Sequence, residues 1–189
     1  QVWAHRGASA YAPENTLEAF KLAAGQGADG VELDVQLSQD NELVVAHDET
    51  IDRVSNGSGY IKDHTLSELK KLRFNRLFPE YRDASIPTLG EVYELLRPTG
   101  LVVNVELKTG IVPYEGIEER VLDLASEMGM GDRVIYSSFH HPSLVKLKML
   151  DPSVKTGLLY SDGWIDVASY GRHTARVDAL HPALYHMQD

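Results

Sequence analysis

Short apolar runs rich in valine and leucine alternate with helix-like segments along most of this 189-residue chain. Such alternation is typical of βαβ units, in which successive strands form a parallel sheet covered by the intervening helices. The predicted strands are residues 2–5, 30–37, 43–47, 101–108, 134–139, 156–160 and 179–181. The pattern predicts an α/β fold, and the length fits a single domain over residues 1–189.

One connection departs from this alternation. Only residues 38–42 separate the second predicted strand from the third, which is too short for a parallel crossover, so we expect an antiparallel hairpin. The hairpin would return the chain to the end of the strand that it has just left and would set Asp34 opposite His47. The next segment, residues 48–86, is predicted to be an irregular polar insertion around one short helix.

Two predicted strands carry charged side chains at alternate positions. Alternation places Glu32 and Asp34 on one face of one strand, and Glu106 and Lys108 on one face of another. Carboxylates that point into a barrel are costly unless they are paired or bind a cation. Oxygen ligands alone favour a hard cation, Mg²⁺ or Ca²⁺, over zinc. The alternative is a buried ion pair of Lys108 with Glu106 or Asp34, although three carboxylates outnumber the one lysine.

Two other predicted strands end in a histidine, His5 before Arg6 and Gly7, and His47 before Asp48. Catalytic residues of barrel enzymes lie at the carboxyl ends of strands. Histidines at these positions could act as general acid and general base, and the planar fork of Arg6 could bind phosphate oxygens. Gly7 would let the backbone approach a ligand closely. A structural role is the alternative for either histidine alone, but the combination with two acidic strands argues against it.

The remaining polar strand ends are weaker candidates. Ser137, Phe139 and His140 end one strand and could line a pocket, or they could be ordinary polar loop residues. His181 ends the last predicted strand and is a weak pocket candidate. Other histidines, His141 among them, are expected at the surface or in loops.

Charge and cysteine content exclude several classes of function. The chain has 18 Lys and Arg against 28 Asp and Glu, a formal charge of −10, and no basic stripe. Such a chain repels nucleic acid and anionic membrane surfaces, so neither is an expected partner.

The absence of cysteine excludes disulfides, thiolate zinc sites and a cysteine nucleophile. No apolar run reaches about 18 residues, so no membrane span is expected. We expect a cytoplasmic location, and the oligomeric state is left open.

Seven short motifs occur in a fixed order along nearly the whole chain: His5-Arg6-Gly7, Pro13-Glu14-Asn15-Thr16, Glu32-Leu33-Asp34-Val35, His47-Asp48, Ile86-Pro87-Thr88-Leu89, Glu106-Leu107-Lys108 and Ser137-Ser138-Phe139. Each motif is weak alone, but the ordered set is specific, and the chain resembles the glycerophosphodiester phosphodiesterases. The resemblance implies a (β/α)8 TIM-type barrel of the phospholipase-C-like phosphodiesterase type. It also implies an enzyme that hydrolyses glycerophosphodiesters, such as glycerophosphocholine, to glycerol 3-phosphate and an alcohol.

The resemblance also implies roles for the residues of the site. Three carboxylates match the family's ligands for one divalent cation, Mg²⁺ or Ca²⁺: Glu32, Asp34 and Glu106. Two histidines match its acid–base pair: His5 and His47. Four residues are implied to bind the substrate: Arg6, Lys108, Ser138 and Phe139. Two more are implied to brace the site: Glu14 and Asn15. Family analogy favours the glycerol 2-hydroxyl over water as the nucleophile, which would give a cyclic phosphate.

The end of the chain departs from the family pattern. Two motifs that end the family's last strands, one like Trp-Thr-Val-Asn and one like Thr-Asp, do not occur. Six barrel strands are predicted besides the hairpin strand, whereas a closed barrel has about eight strands and about 250 residues. We therefore expect a barrel truncated after about six strands, with open edges, and a polypeptide that continues past Asp189 by roughly 50 residues. Residues 1–189 alone are expected to be unstable, oligomeric or inactive.

Two alternatives to this function remain. A lysophospholipase D that acts on longer lipids would need a broad apolar entrance, and residues 56–82 contain only scattered apolar side chains. A non-catalytic binding module on the same fold would be indicated by loss of a ligand or a histidine. None of these residues is lost, which favours the enzyme.

Overall fold

The computed structural model of the protein describes residues 1–186, and residues 187–189 of the predicted domain lie outside this description. The strands of the described part are β1 (Trp3–His5), β2 (Gly30–Leu37), β3 (Leu43–Val45), β4 (Val102–Leu107), β5 (Val134–Ser138), β6 (Lys155–Tyr160) and β7 (Ala179–Pro182). Six of them pair in parallel in the order β1-β2-β4-β5-β6-β7, and β3 pairs antiparallel with β2. The sheet curls into a half-barrel, which confirms the predicted truncated (β/α) barrel.

Helices alternate with these strands. They are α1 (Leu17–Gly25), α2 (Leu66–Leu69), α3 (Leu89–Leu96), α4 (Ile117–Glu127), α5 (His141–Leu150) and α6 (Val167–Ser169). Thr65 and Thr88 form capping boxes with the glutamate three residues later, which explains where α2 and α3 begin. Thr16 caps α1 through one hydrogen bond, from the Ala19 N–H, because an alanine stands where a capping box needs a glutamate. Within residues 1–186, no helix has the length and apolar character that crossing a bilayer requires.

The main core lies between the sheet and the helices. Val31, Leu33 and Val35 of β2 are fully buried in it, as are Val103 and Val105 of β4. Because strand side chains alternate, the residues between these valines and leucines face the concave side of the sheet. The structure thus confirms the facing that the sequence predicts for the two charged strands.

The hairpin forms as predicted. β2 continues past its parallel neighbours and pairs with β3, with Val35 opposite Val45. Just beyond β3, the Ala46 N–H donates to the Asp34 carbonyl over 3.0 Å. His47 is the next residue, so the hairpin carries this histidine to the acidic part of β2.

The insertion at residues 48–86 is irregular but has a small core of its own. It contains a 3₁₀ turn, Ile61–Asp63, as well as α2. Its buried apolar side chains pack against those of the β3 segment in a separate cluster: Val44, Ala46, Ile51, Ile61, Leu69, Phe74 and Ile86. The apolar residues of this cluster are therefore not free to line an entrance to the barrel.

α6 is a short helix. It follows Asp166 and leads into a π-helical turn, Tyr170–Ala175. Asp166 has a left-handed backbone, with φ of 55°, and its side chain accepts a hydrogen bond from Ser169 N–H. That capping geometry prevents the helix from starting earlier.

His141 is buried, so the expectation of a surface or loop position was wrong. It begins α5, and its Nε2 lies 2.8 Å from the Leu159 carbonyl oxygen. Its Nδ1 lies 3.2 Å from the Tyr170 hydroxyl. The ring therefore ties α5 to β6 and to the π-helical turn.

β1 and β7 form the two edges of the described sheet. Near these edges, two glycines make room for aromatic side chains. A Cβ on Gly30 would lie 2.7 Å from the Trp3 indole, and one on Gly157 would lie 2.2 Å from the His181 imidazole. Both rings consequently lie flat against the sheet, on its concave side.

Candidate active site

Three carboxylates meet on the concave face of the sheet and form what we call the acidic cluster. One oxygen from each of Glu32, Asp34 and Glu106 lies within 4.8 Å of the others. Asp34 is fully buried, Glu106 is nearly so, and Glu32 is partly exposed. The parallel register of β2 with β4 sets Asp34 beside Glu106, so strand pairing itself assembles the cluster.

Two cations and one amide stand beside the acidic cluster. Lys108 Nζ lies 3.0 Å from Glu106 Oε1 and 3.8 Å from Asp34 Oδ1. Arg6 Nε lies 3.7 Å from Asp34 Oδ2, and the Asn15 amide donates to the same oxygen over 2.9 Å. The ion pair considered from the sequence is therefore present. Even so, the buried Asp34 Oδ1 has no hydrogen-bond partner among the described residues, a state that a cation would satisfy.

The crowding of the carboxylates shifts their pKa values. Burial, followed by the charges of Asp34 and Glu106, raises the pKa of Glu32 to about 9. Burial and the Asp34 charge also raise the pKa of Glu106, although Lys108 opposes this. For Lys108, burial is outweighed by the Glu106 and Asp34 charges, and its pKa is raised. The cluster therefore concentrates more negative charge than its neighbours offset.

A divalent cation fits this donor set. The ligands are three carboxylates, the oxygen donors that Mg²⁺ and Ca²⁺ select. A cation among them would provide the missing partner of Asp34 Oδ1. It would also lower the pKa of Glu32 by offsetting the charges that raise it.

The turn after β1 is locked in a strained conformation. Arg6 has φ of 58°, a left-handed backbone that costs a non-glycine residue about 1–3 kcal/mol. Its N–H lies 3.0 Å from the Glu32 carbonyl oxygen and 3.1 Å from Glu32 Oε2. These contacts hold the turn and direct the Arg6 guanidinium toward Asp34. His5 remains beside the cluster, with Nε2 3.7 Å from Glu32 Oε2.

Gly7 has a role in packing that the sequence did not predict. It has φ of 77°, and a Cβ at this position would lie 2.7 Å from the backbone carbonyl carbon of Ala19. The glycine is therefore required by the close packing of α1 against the turn.

His47 is oriented by its neighbour Asp48. Its Nδ1 lies 2.6 Å from Asp48 Oδ1. The Arg53 hydrogen bond, against partial burial, lowers the pKa of Asp48 to about 2, so this carboxylate is ionised and can only accept. His47 Nδ1 therefore carries the proton, and Nε2 is the nitrogen left to exchange a proton with a ligand. Partial burial, followed by the Arg6 charge, lowers the pKa of His5, which keeps that ring neutral at pH 7.

Gln36 is a site residue that the sequence analysis missed. Its Nε2 donates to the carbonyls of Ala46 over 2.8 Å and Asp48 over 2.7 Å, and its Oε1 accepts from the Tyr114 hydroxyl over 2.9 Å. The amide thereby holds the backbone on both sides of His47. The signal was available, because Gln36 continues the same inward alternation that singled out the two carboxylates of β2.

The two serines at the end of β5 have different surroundings. The buried Ser138 hydroxyl donates to the Leu107 carbonyl over 2.8 Å and accepts a backbone N–H, so it serves the fold. Ser137 has the inward position instead. It pairs with Glu106 in the sheet, and its buried hydroxyl has no partner in the described part of the chain. Phe139 follows the strand and is 52% exposed.

A cavity of about 380 Å³ adjoins the acidic cluster. It is lined by Trp3, His5, Glu32, Asn104, Ile135 and His181. Because His5 and Glu32 belong both to the cavity and to the site, a molecule bound at the cluster would extend into this space. The structure thus brings His181, a weak candidate from the sequence, close to the site.

Comparison with known proteins decides the family. The Glycerophosphoryl diester phosphodiesterase family matches residues 5–184. The chain belongs to this family. A glycerophosphodiester phosphodiesterase of Caldanaerobacter subterraneus is 51% identical over 166 residues, which cover 87% of this chain and 68% of that protein. One of Bacillus altitudinis is 43% identical over 164 residues, which cover 86% of this chain and 67% of that protein. This phosphodiesterase chain thus spans about two thirds of the length of these relatives.

Solved structures of the family share the fold. The phosphodiesterase of Oleispira antarctica, in complex with the product sn-glycerol-3-phosphate, has a TM-score of 0.84 at 36% identity. The match covers 96% of this chain and 74% of that one. The glycerophosphodiester phosphodiesterase of Agrobacterium tumefaciens has a TM-score of 0.80 at 32% identity, covering 96% and 75% of the two chains. The family predicted from the ordered motifs is confirmed.

Proposed function

We propose that this chain hydrolyses glycerophosphodiesters to sn-glycerol 3-phosphate and an alcohol, with one divalent cation, Mg²⁺ or Ca²⁺. The observation that carries the proposal is the meeting of Glu32, Asp34 and Glu106 within 4.8 Å, beside the guanidinium of Arg6 and the ammonium of Lys108. Two relatives bear the name of this activity. A structural neighbour holds sn-glycerol-3-phosphate as its product.

The residues that would meet the phosphate are those whose charges stand at the acidic cluster. The acidic cluster would hold the cation, which when bound would supply a Lewis acid for a phosphoryl oxygen. The Arg6 guanidinium donates from Nη1 to Glu14 over 3.1 Å, and its Nε lies 3.7 Å from Asp34 Oδ2, so its positive charge faces the place where a phosphate would bind. Lys108 stands on the other side of the cluster. Together the two side chains offset the field that would repel an anionic substrate.

We assign the proton transfers to His5 and His47. One takes the proton of the attacking glycerol 2-hydroxyl, and the other returns a proton to the leaving alkoxide oxygen. His47 would act through Nε2, because Asp48 holds its Nδ1–H. The lowered pKa of His5 keeps its ring neutral, which suits the accepting role. Attack by the 2-hydroxyl would form a cyclic phosphate, which water then opens.

The remaining contacts favour a polar, deacylated substrate over a long-chain lipid. Ile51, Ile61 and Phe74 of the insertion are buried in its own small core, so they do not form the apolar entrance that a lysophospholipase D would need. For the alcohol side of the substrate, we propose contacts with Phe139 and with the free hydroxyl of Ser137. The hydroxyl of Ser138 is already used within the fold.

The experiment that tests this function is hydrolysis of glycerophosphocholine by the full-length protein, followed by ³¹P NMR. Exhaustive chelation should abolish turnover, and Mg²⁺ or Ca²⁺ should restore it. Glu106→Gln should lose activity because it removes the charge of a ligand while keeping its shape. Glu119→Gln, at a half-buried carboxylate on α4 that pairs with Lys146, is the matched control and should remain active. Full activity after chelation would contradict the cation, and turnover of long-chain lysolipids alone would contradict the substrate class.

A further inference from the structure

Arg53, in the insertion, connects two carboxylates that lie far apart in the sequence. Its Nη1 and Nη2 donate to the two oxygens of Glu14 over 2.8 and 2.7 Å. Its Nε and Nη2 donate to the two oxygens of Asp48 over 2.7 and 3.1 Å. A guanidinium has about five N–H donors, so nearly all of those of Arg53 are used within the protein.

Each of these two carboxylates also holds a residue of the proposed machinery. Glu14 Oε1 accepts from Arg6 Nη1 over 3.1 Å, and Asp48 Oδ1 is 2.6 Å from His47 Nδ1. The five side chains therefore form a row of alternating charge when His47 is protonated. The row begins at the end of β1, passes through Arg53, and ends just beyond β3.

We propose that Arg53 is a positioning residue that fixes Arg6 and His47 relative to each other through Glu14 and Asp48. The proposal rests on the function proposed above, because it assumes that Arg6 binds phosphate and that His47 transfers a proton. Neither carboxylate lies in a helix or a strand, so no regular backbone pairing orients their side chains. The planar, bidentate fork of arginine supplies the constraint, which a lysine ammonium cannot reproduce.

The pKa shifts of Glu14 and Asp48 indicate that both stay paired with Arg53 at neutral pH. Although burial opposes it, hydrogen bonds to Arg53 lower the pKa of Glu14, and the Arg53 hydrogen bond leads the causes that lower the pKa of Asp48. Both carboxylates therefore stay ionised at neutral pH. The Arg53 side chain is 40% exposed and belongs to neither apolar core. Loss of Arg53 should consequently disturb geometry more than folding.

Steady-state kinetics of the full-length protein on glycerophosphocholine give the first test. Arg53→Lys should lower kcat on the order of 10²-fold, the cost of misplacing groups in a site by about 1 Å, and any rise in KM should be much smaller than this loss of kcat. Arg76→Lys is the matched control, because Arg76 lies in the same insertion but donates to the Asp52 carbonyl. Its kcat and KM should match the wild type.

Chemical rescue separates positioning from folding. Arg53→Ala should regain part of its kcat when methylguanidinium is added, and Arg76→Ala should not respond. A raised KM at unchanged kcat in Arg53→Lys would show direct substrate binding and overturn the proposal. A loss of kcat that follows a lowered unfolding temperature and is not rescued would assign Arg53 a purely structural role, which also overturns it.

An NMR measurement is independent of activity. The Nδ1–H signal of the His47 ring, held by Asp48 in the wild type, should shift or broaden in Arg53→Lys and persist in Arg76→Lys. If the wild-type protein fails to hydrolyse glycerophosphodiesters, the proposed function fails, and this signal alone decides whether Arg53 positions His47. An unchanged signal in Arg53→Lys would overturn the proposal in either case.

Discussion

Binding of a cation to the acidic cluster should release a proton at neutral pH. Burial and the charges of Asp34 and Glu106 raise the pKa of Glu32 to about 9, so the cation-free cluster holds a proton at pH 7. A carboxylate must lose its proton to act as a ligand, and the cation therefore competes with that proton. The perturbation to apply is a change of pH, with Glu32→Gln as the matching substitution.

The size of the competition follows from the gap between the pKa and the pH. At about two pH units below the pKa, removal of the proton costs about 3 kcal/mol, which weakens cation binding about a hundredfold. The dissociation constant of Mg²⁺ or Ca²⁺ should therefore fall about tenfold for each pH unit between about pH 6 and pH 8, because one proton is displaced for each cation.

Isothermal titration calorimetry of the cation-free, full-length protein measures the dissociation constant of the cation and the number of protons released when it binds. Titrations at one pH in buffers of different ionisation enthalpy should report release of about one proton for each cation bound. Glu32→Gln should bind more weakly, because a charged ligand is lost, and should release almost no proton. Glu119→Gln, at a carboxylate on α4 that pairs with Lys146, should behave as the wild type.

Two results would refute this reasoning. An affinity that stays constant from about pH 6 to pH 8 would show that Glu32 is ionised without the cation and that Arg6 and Lys108 already offset the cluster. Undiminished proton release in Glu32→Gln would assign the proton to Glu106, whose pKa is raised by burial and by Asp34. The first result would remove repulsion among the carboxylates as a reason to expect a cation. The second would show that the carboxylate that releases the proton lies on β4.

Three further predictions test other parts of the site. His5→Ala and His47→Ala should each lower kcat on the order of 10²–10⁴ in steady-state assays; a histidine whose variant keeps nearly wild-type kcat is structural. Gln36→Leu should lower the free energy of unfolding, measured with urea, by about 1–3 kcal/mol, because buried carbonyls lose their donor; unchanged stability would contradict the hydrogen bonds described. The pKa of Asp48 is lowered to about 2 in the folded protein. Its ionised carboxylate therefore contributes fully to the free energy of unfolding above its pKa in the unfolded chain, about 3.9, and this contribution is lost as pH falls toward about 2. Unfolding at a series of acidic pH values should show that loss, and Asp48→Asn should show less of it.

The sequence predicted those parts of the fold that depend on periodicity. Valines and leucines alternate with charged residues on β2 and β4, and a strand buried on one face by helices leaves a single choice of which residues point inward. The same reasoning placed Glu32, Asp34 and Glu106 on one face, and the structure confirms that facing. The short connection after β2 was enough to predict the hairpin, because no parallel crossover fits it.

Contacts made by irregular segments could not be predicted in this way. Arg53 meets Glu14 across 39 positions of sequence, through a loop and an insertion that have no repeating pattern. Ser137 and Ser138 are adjacent and face opposite sides of β5, and that strand has no alternation of polar and apolar residues to show which serine points inward. The burial of His141 could not be predicted, because its partners come from β6 and from the π-helical turn. No sequence pattern indicated the geometry of that turn.

The β2–β3 hairpin, which departs from the regular alternation of strands and helices, completes the proposed site. Parallel register of β1, β2 and β4 alone would bring His5, Asp34 and Glu106 together, but no second histidine to the same side. The antiparallel β3 returns the chain along the end of β2, and His47 follows it. Gln36, the last inward residue of β2, then holds the backbone around His47 through the carbonyls on either side. One extended strand thus carries two of the proposed metal ligands and also the amide that supports the histidine, so the hairpin belongs to the proposed site as much as those carboxylates do.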